Sequence, residues 1–142
     1  MTHIRPVLMG QLGYTAGPLN TALLFVDNCF AYPNKGNVNP HPVHYFFYGS
    51  GGSGYYNPEN DSSSLTLSNI WNTAAFDTAA FGKVLKEDTN LVATFGLKRI
   101  AYEAGPSMDK GGSDAVKALA LNDTRMQDLM LIHQKTWNEY GR

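Results

Sequence analysis

The chain has 142 residues, 43% hydrophobic and 16% charged, the balance of a globular protein able to bury one core. Its 11 basic and 12 acidic side chains are interspersed and give a formal charge of −1, so there is no basic stripe to neutralise a phosphate backbone and nucleic acid is not an expected partner. The single Cys29 cannot form an internal disulfide and reads as a buried thiol, and no run reaches the roughly 18 apolar residues of a membrane span, so no membrane partner is expected. The opening Met1-Thr2-His3-Ile4-Arg5-Pro6 lacks the form of a signal peptide, which leaves the compartment unknown.

Ile4 to Gln11 reads as a short buried strand, β-branched at its start and closed by Gly10, with Pro6 suited to its beginning. Pro18 fits the first turn of a helix in which Leu19, Ala22, Leu23, Val26 and Phe30 recur at helical spacing. Ala31 to Pro42 supplies turn residues and reads as a loop. His44 to Tyr48 is an aromatic run without alternation, which predicts a second strand buried on both faces. Gly49 to Ser64, rich in glycine and carrying Tyr55 and Tyr56, reads as a long loop, a kind more often functional than structural.

Leu67, Ile70, Trp71, Ala74 and Ala75 share one helical face; Phe81, Val84, Leu85, Leu91, Val92 and Phe95 share another, with Gly96 as its stop. Leu97 to Tyr102 is the third strand, Tyr102 facing the packed side and Glu103 standing just past the end. Asp114 to Leu121 forms one closing helix, and a longer one carries Met126, Leu129, Met130, His133, Trp137 and Tyr140 on one side. Strands separated by helices predict a parallel sheet with right-handed crossovers. Three such units would leave both sheet edges and one apolar face uncovered. The expected fold class is therefore α/β, a partial (β/α)8 TIM barrel of about three parallel strands with intervening helices, residues 1–142 forming one partial domain of a larger barrel.

A carboxylate just beyond the C-terminal end of a parallel strand stands where α/β folds place their sites, which makes Glu103 the leading candidate for chemistry; a surface or salt-bridged Glu is the plainer alternative. The run Lys98-Arg99-Ile100-Ala101-Tyr102-Glu103-Ala104-Gly105 resembles the Tyr-Glu-x-Gly strand end of large barrel proteins related to the glycoside hydrolases. Arg5-Pro6-Val7-Leu8-Met9-Gly10-Gln11, the aromatic Tyr45 to Tyr48, and Asn122-Asp123-Thr124-Arg125-Met126 followed by Trp137 resemble the same proteins in order and approximate spacing, so most of the chain is covered.

This resemblance to the barrel glycosidase clan implies that the strands are the fifth to seventh of a barrel, that Glu103 is the nucleophile ending the seventh, and that the acid/base Glu ends a fourth strand outside this chain. Ala104 and Pro106 depart from the more usual Gly and Gln, and no Asn-Glu strand end lies upstream. The implied activity is retaining hydrolysis of a polysaccharide or oligosaccharide, which needs a nucleophile and a proton donor about 5 Å apart, so the chain alone is expected to be inactive. A non-catalytic carbohydrate-binding or surface protein that keeps the barrel is the alternative.

The candidate sugar-binding side chains are Tyr48, ending the expected second strand, Gln11, ending the first, and Tyr55 and Tyr56 on the glycine loop. The alternatives are a buried aromatic at Tyr48, a plain loop polar group at Gln11, and loop packing for Tyr55 and Tyr56. Trp71, Trp137 and His133 fall on apolar helix faces and read as core or its edge. Gly49 to Gly54 fits G-x-G-x-x-G with Asp77 downstream, but no helix is expected to open after it, so a nucleotide site is the weakest reading and no cofactor is expected. The spacing of His41 and His44 in an extended segment separates them, and no metal site is expected.

Overall fold

The computed structural model describes residues 4–10, 17–31, 40–56, 66–71, 78–107 and 113–141. Along the chain run β1 (Val7–Met9), α1 (Pro18–Val26) with a π-helical continuation (Asp27–Ala31), α2 (Val43–Phe46), β2 (Gly49–Gly51), β3 (Gly54–Tyr56) and α3 (Leu67–Ile70). They are followed by α4 (Thr78–Thr94), β4 (Lys98–Arg99), β5 (Ala104–Pro106), α5 (Asp114–Leu121) and α6 (Thr124–Tyr140). The class is α/β with parallel strands: β1, β2 and β4 pair in that spatial order, β3 pairs with β5, and no closed barrel is present among the described residues.

Helix limits follow from local chemistry. Pro18 opens α1, where its missing N–H removes no intrahelical bond. The end of α4 is fixed by Gly96 at φ +69°: Gly96 N–H donates to Ala93 O (2.9 Å) and Leu97 N–H to Val92 O (3.3 Å), the paired bonds of a Schellman turn. Ser113 caps α5 by accepting from Val116 N–H (3.3 Å), and Asp123 caps α6 by accepting from Arg125 N–H (2.9 Å).

Because spatial order repeats sequence order, right-handed crossovers put α1 and α4 on one face of the sheet. There Leu19 and Leu23 of α1 meet Val43, Val92 and Leu97 in one buried cluster, with Leu8 of β1 against it. Leu23 and Val92 are fully enclosed, each contributing ~1.5–3 kcal/mol of apolar burial. Helix α6 extends the layer, packing along α4 and reaching β5, and a second cluster of Ala120, Met126 and Leu129 joins it to α5 and, through Leu67 and Trp71, to α3. On the other face of β1 from Leu8, Val7 is 45% exposed.

Three expectations change. His44 to Tyr48 does not form the second strand: Val43–Phe46 is a helical turn whose aromatic rings pack on one another, His41 stacked on Tyr45 at 3.8 Å and Phe30 tilted on Phe46 at 5.5 Å. Ring packing across short segments overrides the strand preference of these residues. The strand begins instead in the glycine run, which is not a loop but β2, a short link at Gly52-Ser53, and β3. Glycine is required there by close approach: a Cβ on Gly49 would stand 2.7 Å from Lys98 O, one on Gly51 would overlap Arg99 Nη1 and Ile100 O, and one on Gly54 would meet Trp137 at 3.0 Å. Cys29 lies in the π-helical turn and is half-buried, where a buried thiol was expected.

Candidate functional site

The two ladders on the glycine strand and its neighbour are out of step by one residue. Gly49 and Ser50 pair with Lys98 and Arg99, whereas Gly54, Tyr55 and Tyr56 pair with Ala104, Gly105 and Pro106. Between the ladders stand three residues, 51–53, on one strand and four, 100–103, on the other, a bulge of one residue. Ile100 N–H still donates to Ser50 O (3.1 Å) and Gly54 N–H to Glu103 O (2.8 Å), so the extra residue is confined between those bonds.

The bulge decides where Glu103 faces. Arg99 is turned to the helix side and buried. In an unbroken strand Glu103, an even number of residues on, would face the same way. The inserted residue reverses the alternation, so Gly54 comes to face Trp137 of α6 while Glu103 emerges exposed on the opposite side. Tyr55 and Gly105 are the next pair on that side; Tyr55 is 37% exposed, and a Cβ on Gly105 would meet nothing within 4 Å. Tyr102, expected to pack, is 55% exposed.

Arg99 holds this geometry from beneath. Its Nη1 donates to Gly52 O (3.4 Å) and to Ile100 O, and its Nη2 to Ser53 O (3.5 Å), so one guanidinium ties both sides of the register break. Asp88 of α4, equally buried, places Oδ2 3.5 Å from Nη2, and the Trp137 ring lies under the guanidinium at 5.2 Å. Burial pulls the Arg99 pKa down while Asp88 pulls it back, and the group stays cationic. The sequence reading did not single out Arg99 or Asp88; the available signal was an arginine inside a strand otherwise expected to be buried. His133, also beneath this strand pair, is buried against the Phe81 ring at 4.4 Å. Its pKa is lowered, first by desolvation, with a hydrogen bond to the Gly54 backbone opposing.

The other candidates do not all join Glu103. Tyr48 precedes β2 instead of ending a strand, and its ring lies 5.4 Å from Lys98 Nζ at the start of β4. That is the opposite end of the sheet, roughly 15 Å from Glu103 at a rise of about 3.3 Å per residue, because the true strand begins after the aromatic run. Tyr55 and Tyr56 lie in β3, not in a loop, and Gln11 lies outside the described residues. The glycine run opens no helix, so it has no helix N-terminus to offer a phosphate. Clefts of about 670 Å³ beside Arg5, His44 and Tyr45 and about 430 Å³ beside Leu97, Lys98 and Trp137 lie at the start of the strands, and Glu103 lines neither. Among the described residues no group of three or more His, Cys, Asp or Glu is placed to hold a metal ion, and no helix is long and apolar enough to cross a membrane.

Comparison with protein-family models, with curated proteins and with solved structures finds no match. The functional reading therefore rests on this geometry and on the resemblance of the strand ends.

Proposed function

We propose that these three parallel units are a segment, strands five to seven, of a larger carbohydrate-active (β/α)8 barrel, and that Glu103 is the nucleophile of a retaining glycoside hydrolase. The observation that carries the reading is the bulge between β4 and β5: alternation across it directs Glu103, which is exposed and immediately precedes β5, to the face away from the helices, the side of Tyr55. In a barrel that face is the interior, and the C-terminal strand ends form the mouth where substrate binds. Tyr55 offers a ring face for a pyranose, and Gly105 leaves room beside it. The proton donor of such a hydrolase comes from a separate strand about 5 Å across the scissile bond, so this segment supplies one of the two carboxyl groups. Tyr48 and Gln11 are not carried into the substrate site.

A non-catalytic carbohydrate-binding barrel is supported by a different observation. Ala104, Gly105 and Pro106 continue as strand β5 paired with β3, so the residues after Glu103 are committed to sheet where an active-site loop would begin. Replacing Glu103 with Gln in the complete barrel separates the two readings. A nucleophile's loss lowers turnover by several orders of magnitude with little change in sugar affinity, because the effect falls on the transition state. Near-normal turnover in Glu103→Gln would remove the nucleophile assignment, and a complete barrel that binds sugar without cleaving it would establish the binding reading.

A further inference from the structure

Helix α6 carries an exposed leucine on the side away from its core. Its buried residues are Met126, Leu129, His133 and Thr136. At roughly 100° of turn per residue, Leu131 stands about 140–160° around the helix from each of them, and it is 63% exposed. Thr124, Asp128, Lys135 and Asn138 lie along the same outward stripe, all exposed. With Leu131 at the centre, the steps along it are four, three, four and three residues, the interval of a seam between two helices. Asp128 and Lys135 form no ion pair among the described residues, and on one helix they stand about 10 Å apart, too far to pair with each other.

We propose that this stripe is a contact between two copies of the chain, their α6 helices packed antiparallel about a two-fold axis at Leu131. Leu131 then meets Leu131 of the second copy. Asp128 lies about 4.5 Å along the helix on one side of Leu131 and Lys135 about 6 Å on the other, both on the same flank of the stripe, so the two-fold sets each carboxylate against the ammonium of the other copy. Thr124 falls opposite Asn138, whose Oδ1 accepts from Gln134 Nε2 (3.5 Å) and whose Nδ2 can donate to the threonine hydroxyl. Charge fixes the direction: a parallel pair would set Asp128 on Asp128 and Lys135 on Lys135. Reversed end to end, the stripe is its own complement, which is what a two-fold contact requires and what selects a second copy as the occupant. One leucine from each copy with polar flanks covers less than the ~1,200 Å² of a stable specific interface, so the dimer is weak and exchanges quickly. The contact lies on the outside of the helix layer, away from Glu103, and is independent of the glycosidase reading.

Sedimentation equilibrium of the whole chain, from dilute to millimolar protein, tests this together with amide NMR spectra along the same dilution series. The expected result is a monomer–dimer equilibrium whose amide shifts centre on Leu131 and stay within α6. Leu131→Glu should abolish association and leave the thermal melt unchanged, since the residue is exposed. Asp128→Lys or Lys135→Asp alone turns two attractions into two repulsions and should weaken the dimer by about tenfold. The exchange Asp128→Lys/Lys135→Asp should restore it to within about threefold, and because the two positions cannot pair within one helix, that recovery reports a contact between copies. The proposal is overturned by a chain that stays monomeric at millimolar concentration, by association that survives Leu131→Glu and so belongs to another surface such as the sheet edges, or by an exchanged variant that associates no more tightly than the single ones.

Discussion

Arg99 and Arg125 each stand beside an aspartate and over a tryptophan ring, at 5.2 Å from Trp137 and 4.7 Å from Trp71. The better-formed ion pair is the one at the surface: Arg125 donates Nε to Asp123 Oδ1 at 2.9 Å and Nη2 to Oδ2 at 2.6 Å, a two-point contact, whereas Arg99 reaches Asp88 at 3.5 Å. Geometry does not rank their importance. Water screens the surface pair and solvates either partner left alone, while in the interior each charge depends on the other.

The largest effect that sharpens this contrast is expected at Asp88. Asp88→Ala leaves Arg99 buried without its counter-ion and should cost about 3–5 kcal/mol, read from urea unfolding. The double variant Asp88→Ala/Arg99→Met should cost less than the sum of the single ones, since it removes both charges. A single-variant loss below about 1 kcal/mol would place the buried pair in the same class as the surface pair and break the comparison.

An intermediate effect is expected from His133, a buried ionisable group packed against the Phe81 ring. Its folded pKa lies below the ordinary value of 6.5, so the unfolded chain takes up the proton first on acidification. The stability it contributes is full above 6.5 and is lost as pH falls through the folded value. Unfolding free energy measured between about pH 7 and 5 should decline for the original chain and decline less for His133→Leu. Parallel slopes would remove His133 from the account.

The smallest effect is expected at Asp123. The hydrogen bonds from the Arg125 side chain and backbone hold its pKa down from 3.8 to about 2. The folded value being depressed, the contribution is present above 3.8 and is lost as pH falls toward 2. Asp123→Asn keeps a capping oxygen but not the charge, so its Tm should lie slightly below the original at neutral pH, and the gap should close in strong acid and shrink with salt. A gap that survives both would mean that the charge is not what the pair contributes.

Much of the fold was legible because helices write themselves into spacing. Pro18, Gly96 and the limits Asp114 to Leu121 all stand where periodicity and stop signals put them. The second strand was not legible, because glycine carries no side-chain signal of its own: what makes Gly49 to Gly54 a strand is the space taken by Arg99, Ile100 and Trp137 from elsewhere in the chain. The same holds at the candidate site. Glu103 was visible as a strand-end carboxylate, but the bulge that aims it exists only in the pairing of two strands, and the Arg99–Asp88 clamp joins a strand to a helix.

The stretch from Ile100 to Glu103 fulfils its task by length more than by identity. Exchanging one small residue for another at Ala101 leaves the register as it is; removing Ala101 would leave three residues opposite 51–53 and close the bulge with Ala104, Gly105 and Pro106 still on their partners in β3, whereas an inserted residue would widen it. Sequence drift in this stretch should therefore be permissive toward substitution and toward loss of a single residue, and intolerant of insertion, unlike an ordinary surface connection.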